Sequence, residues 1–221
     1  MNLTSIIKRP WQRGMIWLAC NDGLRDRIEN SDRLAAFAKR FVAGADLAAA
    51  KARADAFASE NIVTSIYYLG EYVDSAELVE ENVEGILAAI EYFGKTDLDW
   101  FVSVDPTQIG YSISGDLGWT NAQRISAAIN ALPNPAAHPF MVDMEDASVV
   151  PETIALFEQL LADGVPAALT LQTYLLRTAD DFQRLAAQGA SIRFVKGAFV
   201  ANSRIAHTRK RDIDDAYLRI C

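Results

Sequence analysis

The order of apolar and polar positions divides the chain into a helical start and an alternating remainder. Residues 1–61 are rich in Ala, Leu, Lys and Arg, and Leu34, Phe37 and Phe41 recur at intervals of three and four. That spacing places apolar side chains on one face of a helix. We therefore predict packing helices in residues 1–61, with a break at Gly44, and we assign no chemistry to them.

From residue 62 onwards, strand-like apolar runs alternate with helical patterns. The predicted strands are NIVTSIYYLGE, DWFVSVDPTQIG, HPFMVDMED, AALTLQTYL and SIRFVKGAFV. The helices that follow them are predicted to start at Asp74, Thr120, Pro151, Thr178 and Asp212, from capping residues and proline placement. Strand and helix thus alternate at roughly 30-residue spacing, which requires parallel strands joined by helical crossovers.

Two architectures fit this alternation, a doubly wound open sheet and a closed (β/α)8 barrel. The first strand lacks the GxGxxG turn of a dinucleotide-binding domain. Polar residues instead follow nearly every strand, and barrels take their catalytic groups from those ends. We therefore favour the α/β class with a (β/α)8 TIM-barrel-like fold, present as about five βα units in residues 62–221. The polar residues are Glu71, Asp105, Gln108, Asp143, Glu145, Asp146, Gln172, Arg193 and Lys196.

Each of these polar residues also has a structural interpretation. Asp146 would suit the N-terminus of the next helix, and Gln172 lies in an apolar run where its amide needs hydrogen-bond partners. Asp143 and Lys196 could form an ion pair in the core. Two charges at neighbouring strand ends nevertheless favour a site. Neither histidine has an acid at motif spacing, so we interpret both as structural or exposed.

Composition and charge exclude several functions. The chain has 221 residues, of which 51% are hydrophobic and 23% charged, as in ordinary globular proteins. Its net charge of −8 argues against nucleic acid and predicts at most peripheral membrane contact. Two cysteines near opposite ends offer neither a disulfide framework nor metal-ligand spacing, so a reducing cytoplasm fits best. No apolar segment is long enough for a membrane span, and the apolar run near the N-terminus is too short for a secretory signal.

The segments YYLGE, SVDPTQIG, VDMED, LQTYL and RFVKGAF, in that order and spacing, resemble the proline dehydrogenase family over roughly residues 34–221. The resemblance implies a distorted (β/α)8 barrel that binds FAD. It also implies oxidation of L-proline to pyrroline-5-carboxylate, with hydride transfer to the flavin and delivery of electrons to a quinone.

The resemblance further implies which side chains form the site. Gln172 would bond to the isoalloxazine edge, Arg193 would lie near the flavin N5, and Asp143 would face the substrate amine. Glu71 would close the pocket, and Lys196 would meet flavin polar atoms or a neighbouring carboxylate. The implied cofactor-binding residues are Gln172, Arg193, Val195, Lys196, Gly197, Ala198 and Phe199. The implied catalytic residues are Asp143, Lys196, Glu71 and Asp105.

Some residues depart from the family pattern. Asp105 stands where the family has a lysine, Phe199 replaces a tyrosine and Ala201 replaces a glutamate. An acid beside Asp143 would repel a carboxylate substrate. We also expect a truncated or diverged member without the arginine pair that holds this carboxylate. A non-catalytic flavin- or ligand-binding homologue remains an alternative, as does half of a split enzyme. Unpaired strand edges predict a homo-oligomer or a complementing chain.

Overall fold

A computed structural model describes residues 42–44, 46–70 and 73–221. The helices are α1 (Leu47–Ala58), α2 (Ala76–Phe93), α3 (Gly115–Asn130), α4 (Val150–Ala162), α5 (Thr178–Ala186) and α6 (Lys210–Ile220). The strands are β1 (Thr64–Tyr67), β2 (Trp100–Val104), β3 (Phe140–Val142), β4 (Ala167–Gln172) and β5 (Ser191–Val195), with short 3₁₀ turns at Thr107–Ile109 and Pro135–Ala137. Across these described stretches, no helix has both the length and the apolar character to cross a membrane.

The chain divides into two compact units, Met1–Arg53 and Ala54–Cys221, and the second contains the sheet. Its strands lie in the order β1-β2-β3-β4-β5, and every neighbouring pair is parallel. A doubly wound sheet would place strands on both sides of the first one. In a (β/α)8 barrel, by contrast, each strand lies beside the strand that follows it in the sequence. The strand order therefore confirms the predicted α/β barrel class over the open sheet.

The core lies around the three inner strands. Every residue of β3 and of β4 is buried, whereas β5 is half-buried along most of its length. Helices α2, α3 and α4 contribute fully buried side chains to this core, each of which stabilises the fold by about 1.5–3 kcal/mol. The largest fully buried side chains of helices and strands together include Trp100, Phe93, Phe140, Phe157, Ile86, Ile90, Ile125 and Leu160. The inner strand ends are therefore the most firmly supported places for functional side chains.

Two predicted helix starts are wrong. Helix α2 is capped by Ser75, whose Oγ accepts from the backbone N–H of Leu78 at 3.3 Å, and not by Asp74. Helix α3 begins after Ser114, which caps it in the same way. Thr120 therefore lies inside α3, where its hydroxyl donates to a backbone carbonyl. Several Ser, Thr and Asp residues precede each helix, and all of them suit an N-cap equally well.

The later boundaries also differ in part. Thr178 is the first residue of α5 and not its cap, because its hydroxyl donates to the backbone O of Gln172 at 2.6 Å. Helix α6 begins two residues before the predicted Asp212. The predicted start of α4 is confirmed, since Pro151 lies in its first turn. Gly164 follows this helix with a φ of 71°, as a helix-ending glycine does. The predicted helices before residue 42 lie outside the described residues.

Candidate active site

The strand register brings three predicted polar residues and Thr170 into one layer. Thr170 pairs with Arg193 across β4 and β5. Continued by one residue, the register of β2 with β3 places Asp105 beside Asp143, and the register of β3 with β4 places Asp143 beside Thr170. The N–H of Asp143 donates to the backbone O of Val104 at 2.9 Å. Paired residues of a parallel sheet point to the same face. We call Asp105, Asp143, Thr170 and Arg193 the strand-end layer.

Asp143 is the most heavily bonded member of this layer. Its Oδ2 accepts from Ser103 Oγ at 2.8 Å, and its Oδ1 accepts from Thr170 Oγ1 at 2.9 Å. Arg193 forms an ion pair with the same Oδ1 and also donates from Nε to Thr170 Oγ1 at 3.0 Å. These donors fix the carboxylate and balance its charge. The suggested core ion pair of Asp143 with Lys196 is not formed, because Arg193 pairs with Asp143 and Lys196 pairs with Asp214.

Asp105 lies at the end of β2 in the same layer. It is 6% exposed, and its Oδ2 accepts from the hydroxyl of Tyr67 on β1 at 2.6 Å. A phenol hydroxyl at this distance makes a strong hydrogen bond to a carboxylate. The acid that replaces the family's lysine is therefore held in place by the neighbouring strand.

Gln172 combines a structural role with an open acceptor. The residue is 2% exposed, and its Nε2 donates to the backbone O of Met144 at 2.7 Å and of Glu145 at 2.8 Å. Both amide hydrogens are thus used, which fixes the orientation of the amide. Its Oε1 has no hydrogen-bond partner among the described residues. A buried acceptor of this kind costs about 1–3 kcal/mol unless a ligand satisfies it.

Glu145 supports the loop that follows β2. It is 2% exposed and accepts from both the backbone N–H and the hydroxyl of Thr107. Since the backbone O of Glu145 also receives the Gln172 amide, one segment after β3 holds two neighbouring strand ends.

Gly197 begins a turn that only glycine suits. Its φ is 93°, which strains residues with a side chain. A Cβ here would lie 2.2 Å from Cδ1 of Tyr174 and 2.9 Å from Oε1 of Gln172. In the structure, the neighbours that require a glycine at this position are the Tyr174 ring and the Gln172 amide.

Lys196 meets a carboxylate, which is one of the two partners considered for it. Its Nζ lies 2.7 Å from Oδ1 of Asp214 on α6 and 5.7 Å from the ring centroid of Tyr217. Lys210 also pairs with Asp214, and the hydrogen bonds from both lysines lower the pKa of that carboxyl. The Lys196 side chain is 50% exposed, because β5 ends at Val195 and the lysine lies beyond the strand.

The remaining predicted residues fall into three groups. Glu71 lies outside the described residues. Val195 accepts from the N–H of Thr173 at 2.8 Å, and Ala198 and Phe199 follow the Gly197 turn. His138 is structural, as predicted: its Nδ1 lies 2.8 Å from the backbone O of Trp100, on whose ring it stacks.

Sequence reasoning missed several side chains that complete the site. Thr170 lies two residues before Gln172 in a predicted strand, so the two-residue period could have placed both on one face. Ser103 has the same relation to Asp105. Asp214 gave no such signal, because it reaches Lys196 only through the folding of α6 against the end of β5.

The buried orphan groups suit a polar ligand such as a flavin. Three consecutive residues at the end of β4, namely Gln172, Thr173 and Tyr174, each carry a buried oxygen without a partner among the described residues. An amide acceptor beside hydroxyl groups matches the carbonyl and N–H edge of a flavin ring. Arg193 and Lys196 add positive charge nearby.

An open groove of about 380 Å³ is lined by residues of two neighbouring helices, α3 and α4, and of the loop before α3. We call it the outer groove. It is lined by Tyr111, Gly115, Asp116, Trp119, Glu152, Ala155, Leu156 and Gln159. Most of these residues belong to α3 and α4, and none is part of the strand-end layer.

Comparisons with known proteins find relatives of one family. The family model described as Proline dehydrogenase matches residues 50–221. Proline dehydrogenase 2 of Bacillus subtilis (strain 168) is 30% identical over 164 residues, which are 73% of this chain and 52% of that protein. Proline dehydrogenase of Deinococcus radiodurans is 30% identical over 188 residues, which are 83% of this chain and 59% of that protein. The chain thus spans a little over half the length of these curated relatives.

Solved structures show the same fold. Proline utilization A (PutA) from Bdellovibrio bacteriovorus matches with a TM-score of 0.64 at 20% identity, over 83% of this chain and 24% of that chain. PutA from Corynebacterium freiburgense matches with a TM-score of 0.60 at 22% identity, over 90% of this chain and 24% of that chain. Identities this low establish a shared fold and nothing further.

Proposed function

The chain belongs to the proline dehydrogenase family, and from this premise we propose that it is an FAD-dependent oxidoreductase that converts L-proline to pyrroline-5-carboxylate. The observation that carries the proposal is the strand-end layer, with Asp143 and Arg193 paired beside the open oxygen of Gln172. A cytoplasmic location is part of the same proposal, because two cysteines suit a reducing compartment.

The proposed cofactor residues follow from their chemistry. A bound flavin would supply the hydride acceptor, which no side chain offers. Gln172 would accept from an N–H of the flavin ring, and Arg193 and Lys196 would donate to its electron-rich atoms. Val195, Gly197, Ala198 and Phe199 would contribute the backbone and apolar wall beside it.

The proposed substrate residue is Asp143. Its carboxylate would accept an N–H of the proline amine and orient the ring toward the flavin. Its oxygens already accept hydrogen bonds from Ser103, Thr170 and Arg193. The proline amine would therefore bind a carboxylate whose position is fixed before the substrate arrives. Glu71 would close this pocket, as the resemblance implies.

The proposed partners extend beyond the substrate. We propose a quinone as electron acceptor, in keeping with the family resemblance. Contact with a second copy or a complementing chain is also proposed. Its support is that β1 and β5 each pair on one side only among the described strands, and open strand edges favour pairing with another chain.

A non-catalytic flavin- or ligand-binding homologue is the second candidate, and Asp105 is the observation that favours it. The strand-end layer contains two carboxylates, those of Asp105 and Asp143, and one guanidinium, that of Arg193. A second acid disfavours the carboxylate of an amino-acid substrate at this position. Such a protein would bind flavin but would not oxidise proline.

Anaerobic mixing of the FAD-supplied chain with L-proline tests the proposal. We expect L-proline to bleach the visible absorption of the bound flavin. Asp143→Asn should slow this bleaching by roughly 10- to 100-fold, since a hydrogen bond to a charged group contributes about 1.5–3 kcal/mol. Asp181→Asn is the control, because Asp181 pairs with Arg177 on α5.

The possible outcomes separate the two candidates. Flavin that binds and stays oxidised after L-proline is added would favour the non-catalytic homologue. A folded chain that binds no flavin would contradict both candidates. Equal bleaching rates in Asp143→Asn and the wild type would remove Asp143 from the substrate site.

A further inference from the structure

Tyr174 carries a buried hydroxyl group that none of these roles uses. The residue is 4% exposed, and its Oη has no hydrogen-bond partner among the described residues. A buried hydroxyl without a partner costs about 1–3 kcal/mol. Such groups are rare enough in folded proteins that each one calls for an explanation, and a ligand is one of the few available.

The position of Tyr174 connects it with the candidate cofactor residues. Its ring lies against Gly197, where a Cβ would come within 2.2 Å of Cδ1 and 2.6 Å of Cε1. The open Oε1 of Gln172 lies beside the same glycine, 2.9 Å from that Cβ position. Tyr174 and Gln172 therefore contact one side of the turn that follows β5.

The backbone of Tyr174 is held from two directions. Its N–H donates to the backbone O of Lys196 at 3.0 Å, and its O accepts from the N–H of His207 at 2.7 Å. A bridge between Leu175 and Ala206 continues this pairing. The fold therefore positions the hydroxyl before any ligand binds. Because the side chain is already ordered, ligand binding loses less conformational entropy.

The hydroxyl is suited to donate a hydrogen bond. Burial raises the pKa of Tyr174, and the negative charge of Asp146 raises it further, so the phenol keeps its proton at neutral pH. Gln172 is the opposite case, because both of its N–H groups are used and only an acceptor remains. The end of β4 thus offers one donor and one acceptor.

We propose that Tyr174 is a further flavin-recognition residue, whose O–H donates to a carbonyl of the flavin pyrimidine ring while Gln172 Oε1 accepts from the adjacent N–H. That ring carries an N–H between two carbonyls, so a neighbouring donor and acceptor match its edge. The inference rests on the proposed function, because it takes a flavin as the ligand.

Tyr174→Phe tests the inference, because it removes the hydroxyl and keeps the ring against Gly197. Tyr111→Phe is a matched control. The ring of Tyr111 also lies against a glycine, Gly118, and burial also raises its pKa, but it lines the outer groove. The measurements are FAD affinity, from flavin fluorescence during titration of the flavin-free 221-residue chain, and the melting temperature of the same chain without flavin.

We expect Tyr174→Phe to bind FAD about two- to tenfold more weakly than the wild type, the effect of one hydrogen bond. Tyr111→Phe should bind like the wild type. Without flavin, Tyr174→Phe should melt no lower than the wild type, because the substitution removes an unsatisfied group. Weaker binding without lost stability distinguishes a ligand contact from a structural one.

Two results would overturn the inference alone. One is unchanged FAD affinity in Tyr174→Phe while the wild type binds. The other is a flavin-free melting temperature that falls together with the affinity, since the hydroxyl would then be structural. A folded wild type that binds no FAD would overturn the proposed function, and this inference with it.

Discussion

The two sides of the candidate site are built differently. On one side, Asp143, Thr170 and Gln172 lie at the ends of β3 and β4, whose residues are all buried. On the other side, Arg193 and Lys196 come from β5 and the turn after it, where most side chains are half-buried or exposed. The inner side is fixed by the core of the fold, and the outer side depends on contacts made later in the chain.

The polar contacts of the two sides differ in the same way. Asp143 has an 18% exposed side chain and receives bonds from three strands. The pair of Lys196 with Asp214 is exposed, and exposed pairs contribute little to stability. Two backbone hydrogen bonds, from Thr173 to Val195 and from Tyr174 to Lys196, join the turn after β5 to the inner side, and Gly197 packs against the Tyr174 ring. The half-buried Arg193 is joined to the inner side by its ion pair with Asp143, whereas the turn beyond it is joined by backbone bonds and close packing.

The largest effect is expected from Gly197→Ala. The substitution combines a strained φ with a Cβ driven into a buried ring. We expect it to lower the free energy of unfolding by about 2–5 kcal/mol, of which strain contributes about 1–2 and overpacking about 1–3. Chemical denaturation measures this change.

Gly189→Ala is the matched control for Gly197→Ala. Gly189 has a φ of 75°, and a Cβ there would meet nothing within 4 Å. Gly189→Ala should lower the free energy of unfolding only by the cost of backbone strain, about 1–2 kcal/mol. Equal losses in the two variants would show that the Tyr174 ring does not resist a Cβ at Gly197, and the close packing of the turn after β5 would be contradicted.

A smaller effect is expected from Arg193→Ala. The substitution leaves Asp143 without its cation, and a charged hydrogen-bonded pair contributes about 1.5–3 kcal/mol. We expect a loss near the lower end of that range, because the Arg193 side chain is 37% exposed. The free energy of unfolding from urea denaturation checks it.

Arg124→Ala provides the comparison for Arg193→Ala. Arg124 bridges Glu80 and Glu84 on α2, whose side chains are 55% and 61% exposed, and ion pairs with exposed partners contribute little. Arg124→Ala should lower the free energy of unfolding clearly less than Arg193→Ala does. If Arg124→Ala destabilises the protein as much as Arg193→Ala does, then burial does not distinguish the strand-end layer from the surface.

Much of the fold could be predicted from the sequence, because alternating strand and helix patterns leave few topologies. The inner strands were the clearest to predict, since a largely apolar run such as AALTL is typical of a buried parallel strand. Helix starts were harder, because Asp74 and Ser75 both suit a cap and only the folded chain selects one. The extent of β5 was overestimated, since the apolar run continues past Gly197 while the strand ends at Val195.

The candidate site could be predicted only in part. Residues at strand ends, such as Asp143 and Gln172, were identified from their position in the pattern. Their partners were not, because Arg193 lies 50 residues from Asp143 in the chain and pairs with it through the register. The buried hydroxyl of Tyr174 was also missed, since tyrosine is common in strands and its missing partner is visible only in the fold.

Hydrogen–deuterium exchange with and without FAD tests most directly whether the strand ends form a flavin site. We expect slower exchange in peptides that cover residues 143–146, 172–176 and 193–199, and unchanged exchange around the outer groove. Protection confined to the outer groove, or no protection at the ends of β3, β4 and β5 when FAD binds, would show that the strand ends are not the flavin site.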